Sequence, residues 1–206
     1  MRLPLRRLRA SASNKLNLPL KIHSLFYGIL AFVFLFVSCK DDHLVKPAAM
    51  LRLDYPQPSY HILKTDCPYS FSINNHTFVD HKKGCDLNIR YPKMRATLYL
   101  TYNRIKNNNL DSLLRDAQNL AYDHTIKANS IPEQPFVNPD SKVYGMFYMI
   151  NGNAATQAEF YVTDSIHHFL NGALYFDAKP NFDSIYPAVI YLREDIRKLM
   201  ETVVWK

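Results

Sequence analysis

The chain has 206 residues, 48% of them apolar, and a formal net charge of +7. That length fits one ordinary domain with a short appendage, and 14 Tyr plus 12 Phe can bury a real core, which excludes wholesale disorder. Five glycines exclude collagen-like and glycine-linker classes, and +7 points to nucleic acid or an anionic membrane only if the charge lies on the folded part.

The charge lies at the front. Residues 1–38 hold six basic side chains (Arg2, Arg6, Arg7, Arg9, Lys15 and Lys21) and no acid. Removing those six from 25 leaves 19 basic residues against 18 acids, so the remainder is near neutral and no nucleic-acid partner is expected. Leu25 to Val37 is an uninterrupted apolar run of 13. A spanning helix needs about 20 such residues, so a basic segment before a short apolar core reads as a secretory signal. The competing reading, a buried N-terminal helix, gives the basic flank no packing role. The run ends at Phe36-Val37-Ser38-Cys39, which resembles a bacterial lipobox. Lipidation is therefore expected at Cys39, and its acyl chains would contribute about 0.8 kcal/mol per buried methylene toward a membrane anchor. Lys40-Asp41-Asp42 resembles the surface-export signal of Bacteroidetes lipoproteins, and equally fits a solvated charged tether. The expected organisation is a lipoprotein-type signal over 1–38, a lipidated tether over 39–50 and a single α+β domain over 51–206.

Within that domain, Leu51 to Tyr60 reads as extended, because Pro56 and Pro58 forbid helix. Strands are expected at Tyr69–Ile73 and Asp86–Tyr91. From Met94 to Tyr102, Met, Ala, Leu, Leu and Tyr alternate with Arg, Thr, Tyr and Thr, the period of a half-buried strand. Asn107-Asn108-Asn109 is a turn and N-cap signal before an amphipathic helix over 110–127, with Leu110, Leu113, Leu114, Ala117, Leu120 and Ala121 as its stripe. Residues 129–141 carry Pro132, Pro135 and Pro139 and read as a loop with one short strand. Val143–Ile150 reads as a buried strand and Asn151-Gly152-Asn153 as a hairpin turn. Thr156–Thr163 returns with Ala158, Phe160 and Val162 inward and Gln157, Glu159 and Tyr161 outward, and Phe169–Phe176 follows. Pro187 opens a closing helix with Val189, Leu192, Ile196, Leu199 and Val203 on one stripe. Glu194–Lys198 and Arg197–Glu201 are its i,i+4 pairs. The expected fold class is α+β, an antiparallel meander packed by two long amphipathic helices. That order of elements is similar to the Mog1/PsbP architecture, a likeness that carries no function.

Leu51-Arg-Leu-Asp-Tyr-Pro, Cys67-Pro-Tyr-Ser-Phe, Leu120-Ala-Tyr-Asp-His-Thr-Ile-Lys-Ala, Val143-Tyr-Gly, Phe160-Tyr-Val-Thr-Asp-Ser, His168-Phe-Leu-Asn-Gly-Ala-Leu-Tyr-Phe and Leu192-Arg-Glu-Asp-Ile, in that order and spacing, resemble the gliding-motility-associated lipoprotein GldD family of Bacteroidetes. The resemblance covers about 46–206. It implies a cell-envelope lipoprotein needed for gliding, in a phylum where gliding is linked to type IX secretion, and it supplies no catalytic residues to carry over.

Apart from Cys39, two cysteines remain, Cys67 and Cys85. In an oxidising compartment they are candidate disulfide partners, each beside a turn residue, and a bridge would contribute about 3 kcal/mol by constraining the unfolded chain. The alternative is two separate thiols. His61, His76 and His81 share the stretch, but tight metal-ligand spacings are absent and no metal is expected. Asp123-His124 with Ser130 is a triad only in imagination, since proximity in sequence does not place one. No nucleophile elbow, phosphate loop, dinucleotide loop or H-E-x-x-H occurs, so no catalytic residue and no cofactor is assigned. Asp111-Ser112, Asp164-Ser165 and Asp183-Ser184, each followed by an aliphatic residue, resemble O-glycosylation sites of exported Bacteroidetes proteins; as turn and cap pairs they need no sugar. The leading expectation is a non-enzymatic lipoprotein of the envelope, anchored by lipid at the outer membrane. It would act through contacts with other gliding and secretion proteins, without a small-molecule substrate. The runner-up is an envelope hydrolase or cell-wall-binding protein, which converging carboxylate and His groups in a pocket would favour.

Overall fold

The computed structural model describes residues 55–179 and 181–206. The expectations for 1–54, including the signal, Cys39 and the tether, lie outside the described residues.

A seven-stranded, wholly antiparallel sheet forms the centre, in the order β4 (Phe78–His81), β5 (Leu87–Tyr91), β6 (Ala96–Arg104), β12 (His168–Phe176), β11 (Thr156–Thr163), β9 (Val143–Met149) and β8 (Glu133–Asn138). Alternation sends Leu87, Ile89, Leu98, Leu100, Leu170, Leu174, Phe160 and Phe147 to one face, where all are 2% exposed or less. The 20-residue helix α2 (Phe182–Glu201) covers that face with Leu192, Ile196, Leu199 and Met200. Beside α2, β1 (Tyr60–Ile62) pairs with β3 (Ser72–Asn74), and β2 (Tyr69–Ser70) pairs with β13 (Val204–Trp205). These short strands bring Tyr69, Phe71 and Ile73 into the same core. On the opposite face lies the 13-residue helix α1 (Leu110–Tyr122), next to the small pair β7 (Ala128–Ser130) and β10 (Asn151–Gly152). The α+β class and the antiparallel sheet with two helices are as the sequence implies.

Several boundaries differ, each for a physical reason. The strand expected at 69–73 is two, because Phe71 turns from the β13 partnership into the β1 partnership. Helix α1 stops at Tyr122, five residues early. Its carboxyl end must swing into β7, and Ala128 N–H donates to His124 O at 2.9 Å in that turn. Asn107 and Asn108 adopt φ of 54° and 57°, the left-handed region Asn tolerates, and Asn109 then precedes the helix. The proline-rich stretch holds two strands, with Pro135 on the sheet edge, where a missing N–H costs least. Helix α2 starts at Phe182, before Pro187. Its first N–H donates to Asn153 Oδ1 at 2.8 Å, so a remote residue caps the helix. Its ion pairs are Arg197 with Glu194 and Lys198 with Glu201, one residue closer than the expected i,i+4 spacing.

The outward set on β11 is also overturned. Gln157 and Glu159 are 1% and 2% exposed, because this face of the sheet is covered as well. Gln157 Nε2 donates to Ala154 O at 3.0 Å, and Tyr161 is half-buried.

Gly145 marks the tightest strand approach: a Cβ there would sit 2.0 Å from Tyr161 O. Gly145→Ala is expected to force β9 and β11 apart and lower unfolding stability by about 1–3 kcal/mol, read by urea denaturation.

Candidate functional site

One end of the sheet gathers the β4–β5 turn, the β8–β9 and β11–β12 loops, residues 64–67 and the end of β13. The β11–β12 loop is organised by Asp164, whose Oδ1 accepts the N–H groups of Ile166, His167 and His168 at 3.0, 2.8 and 2.8 Å. Burial alone would raise this carboxyl, but the three backbone donors outweigh it and hold the group below its ordinary value. The loop fixes Ser165 at φ 66° and starts β12 with His168. His168 Nδ1 and Tyr102 OH share a hydrogen bond at 2.8 Å, and Trp205 stacks flat on the imidazole, centroids 5.2 Å apart and planes 8° apart. Burial lowers the His168 pKa. The indole N–H donates to Lys142 O at 3.1 Å, which ties β13 to the β8–β9 loop. A cavity of about 360 Å³ opens here, lined by Asp140, Ser141, Lys142, Asp164, His168 and Trp205 among others.

A second open cavity, about 750 Å³, lies on the other side of β13 and is lined in part by Lys64, Thr65, Cys67, His81, Gly84 and Lys206. Cys67 and Cys85 form its braced edge. Their Cα atoms are 5.6 Å apart and the sulfurs are placed as a disulfide. Tyr69 OH donates to Cys85 O at 2.5 Å behind it. Of the charged side chains that line the two cavities, Lys64, Lys142 and Lys206 are matched in number by Asp66, Asp140 and Asp164. Asp86 is also engaged, its Oδ1 accepting Tyr102 N–H at 2.8 Å.

A separate polar cluster lies under α1. His124 Nε2 meets Glu159 Oε1 at 3.1 Å, while Glu159 Oε2 is buried with no hydrogen-bond partner among the described residues. Burial raises the Glu159 carboxyl to about 7, with the Asp123 charge adding to it, and burial lowers His124. The imagined Asp123–His124–Ser130 triad does not assemble: His124 turns to Glu159, and Ser130 Oγ accepts Asn151 Nδ2 at 3.0 Å. Asp195 on α2 is a third buried acid, accepting Tyr60 OH at 2.7 Å and Asn74 Nδ2 at 2.8 Å, an arrangement that fastens β1 and β3 to the helix.

Of the candidate residues, the structure brings Cys67 and Cys85 together. It leaves Ser112, Ser165 and Ser184 exposed, on the first turn of α1, the β11–β12 loop and the first turn of α2. Among the described residues no three His, Cys, Asp or Glu side chains form a metal-binding group. His61 Nδ1 instead meets Asn75 Oδ1 at 2.5 Å. Sequence reasoning passed over Trp205 and Lys142. A lone Trp beside a chain end carries no period, and only the folded register of β13 with β2 sets it on His168.

The family model described as gliding motility lipoprotein GldD matches residues 40–205. The chain belongs to that family. Family membership implies a role in gliding motility and a lipid-anchored protein of the envelope. No curated protein matches the chain. Every motif that carried the GldD resemblance lies inside the matched span, and those over 67–71, 160–165 and 168–176 supply Cys67, Asp164 and His168 to the two cavities.

Two outcomes are expected. Denatured, unreduced protein should show no free thiol at Cys67 or Cys85, and reduction should cost about 3 kcal/mol of stability. Glu159→Gln should be more stable than the parent at pH 8 by roughly 1–3 kcal/mol and close to it near pH 4.5, read by denaturation at both values. The sign follows from a raised carboxyl: the folded state holds the proton longer, so the parent loses stability as pH rises through about 7.

Proposed function

We propose that this GldD-family chain is a non-enzymatic lipoprotein, anchored through acyl chains on Cys39 at the outer membrane. It supports gliding and the linked type IX secretion apparatus through contacts with other proteins of that machinery. The observation that carries the reading is the family match, which spans the described domain almost entirely. The chemistry agrees with it. Glu159 is buried against a half-buried His124 and lines neither cavity, and the Asp164 oxygen that faces its own loop is spent on three backbone donors. Asp140, Asp164 and His168 do line one cavity, as a hydrolase would need, but His168 Nδ1 is engaged by Tyr102 OH and no hydrogen bond joins the imidazole to either carboxylate among the described residues. Exposed apolar side chains on and after α1, Leu120, Tyr122 and Ile126, offer contact area for a protein partner. The reading needs neither a small-molecule substrate nor nucleic acid. It includes sugar on one or more of Ser112, Ser165 and Ser184, supported by the exposure of all three, and a Mog1/PsbP-like arrangement, supported by an antiparallel sheet with a closing helix.

Deleting the gene in its native host is expected to abolish colony spreading and reduce adhesin secretion, and the wild-type gene should restore both. Cys39→Ala should leave the membrane fraction and fail to restore spreading. Unchanged spreading and secretion after deletion would sink the reading.

A further inference from the structure

We propose that α1 and its trailing turn form a releasable cover over the sheet face opposite α2, latched by a single proton shared between His124 and Glu159, and that loss of this proton above neutral pH lets the cover lift. Three observations carry the inference.

The first is how lightly the cover is seated. No side chain of α1 belongs to the hydrophobic core of the described residues. Ala121 is its one buried residue, and Leu120 and Tyr122 are exposed. The segment can therefore leave the sheet without emptying the core, as a locally opening unit does. The second is how it is attached. Ahead of it stands the Asn107-Asn108 turn, and behind it Ala128 enters the short β7–β10 pair. Between these ends Tyr122 OH donates to Glu133 and its ring lies edge-on to Tyr148, while His124 Nε2 meets Glu159 Oε1 at 3.1 Å.

The third is the latch itself. Glu159 is 2% exposed, and its Oε2 has no hydrogen-bond partner among the described residues. A buried carboxylate needs a cation or several donors. Of the titratable groups that face it, Asp123 on the cover and Glu133 on β8 are acids. Tyr148 on β9, Tyr175 on β12 and Tyr161 on its own strand make no hydrogen bond to it, so His124 is its partner. With one proton this pair is neutral overall, whether nitrogen or oxygen carries it. With none or with two, an unbalanced charge is left under the cover. Burial accordingly raises the carboxyl to about 7 and lowers the imidazole.

The direction of the pH effect follows. Lifted into water, the two groups titrate at their ordinary values of about 4.3 and 6.5. The lifted segment then holds one proton between those values and none above them. The seated pair keeps its proton to higher pH. Seating is therefore strongest across that interval and weakens as pH rises through the seated pair's own release.

Hydrogen exchange of the full chain in detergent tests this, read over residues 110–127 at pH 5, 6.5 and 8 and corrected for the pH dependence of free-amide exchange. In the parent, protection of α1 should stay level from pH 5 to 6.5, fall about threefold or more by pH 8, and lie below that of β6 throughout. Glu159→Gln should remove the fall. His124→Gln leaves a lone buried carboxyl, so its fall should already begin at pH 5 and reach at least about tenfold by pH 6.5. Circular dichroism confirms the fold of each variant, and if one fails to fold, the other decides. Protection of α1 equal to that of β6 would mean no separate opening and overturns the proposal. A folded variant whose pH profile matches the parent's overturns it as well. No motility readout enters, so the outcome is independent of the gliding assignment.

Discussion

Helix α2 must lie flat on the sheet for the rest of the domain to exist. Its apolar stripe shares one core with strands from both halves of the chain: Leu192, Ile196 and Leu199 pack with Leu98 and Phe160 and with Phe71 and Ile73. Burial supplies the energy and has no direction of its own. Direction comes from polar fastenings along the helix. Asn153 caps its start, and Arg193 donates to Ile150 O and Gln157 O from a buried position. Asp195 gathers Tyr60 and Asn74, and Thr202 Oγ1 accepts Ser72 N–H. The Arg193 guanidinium faces carbonyls and an amide rather than an acid, and burial lowers its pKa to about 10 while leaving it charged at neutral pH. A buried cation is tolerated only where its donors are satisfied, so these contacts fix one register of helix on sheet.

Much of this was legible in the sequence because it obeys a period. The alternation over β6 and the 3.6-residue stripe of α2 name their elements and their buried sides directly. Failures fall where a distant partner decides. The start of α2 depends on Asn153, which no window around Pro187 contains. Glu159 sits at a strand position that alternation assigns to solvent, and it is buried because α1 and its trailing turn come back over that face. The short strands β1, β2, β10 and β13 have two or three residues each, too few for any period to show.

The candidate site illustrates the same division. Its cysteines could be read as a pair by counting, and Asp164 could be read as a turn residue by type. Their convergence with Trp205, Lys142 and Lys206 is a property of the topology, which sends three loops and the last strand to one end of a single sheet. The GldD family assignment names the process to which the domain contributes.

The Cys67–Cys85 bond has a further consequence when the domain is regarded as a body under tension. Pulling on a chain that enters at Tyr55 bears first on the three-residue strand β1, which is held by its pairing with β3 and by the Tyr60–Asp195 hydrogen bond. The pull then reaches Cys67, where the covalent link passes it across to Cys85, just ahead of β5. From there the load spreads into the ladders of β5 and β6 near the middle of the sheet, where many hydrogen bonds must break together. The short β2–β13 pair, and with it the stack of Trp205 on His168, lies beside this load path rather than on it.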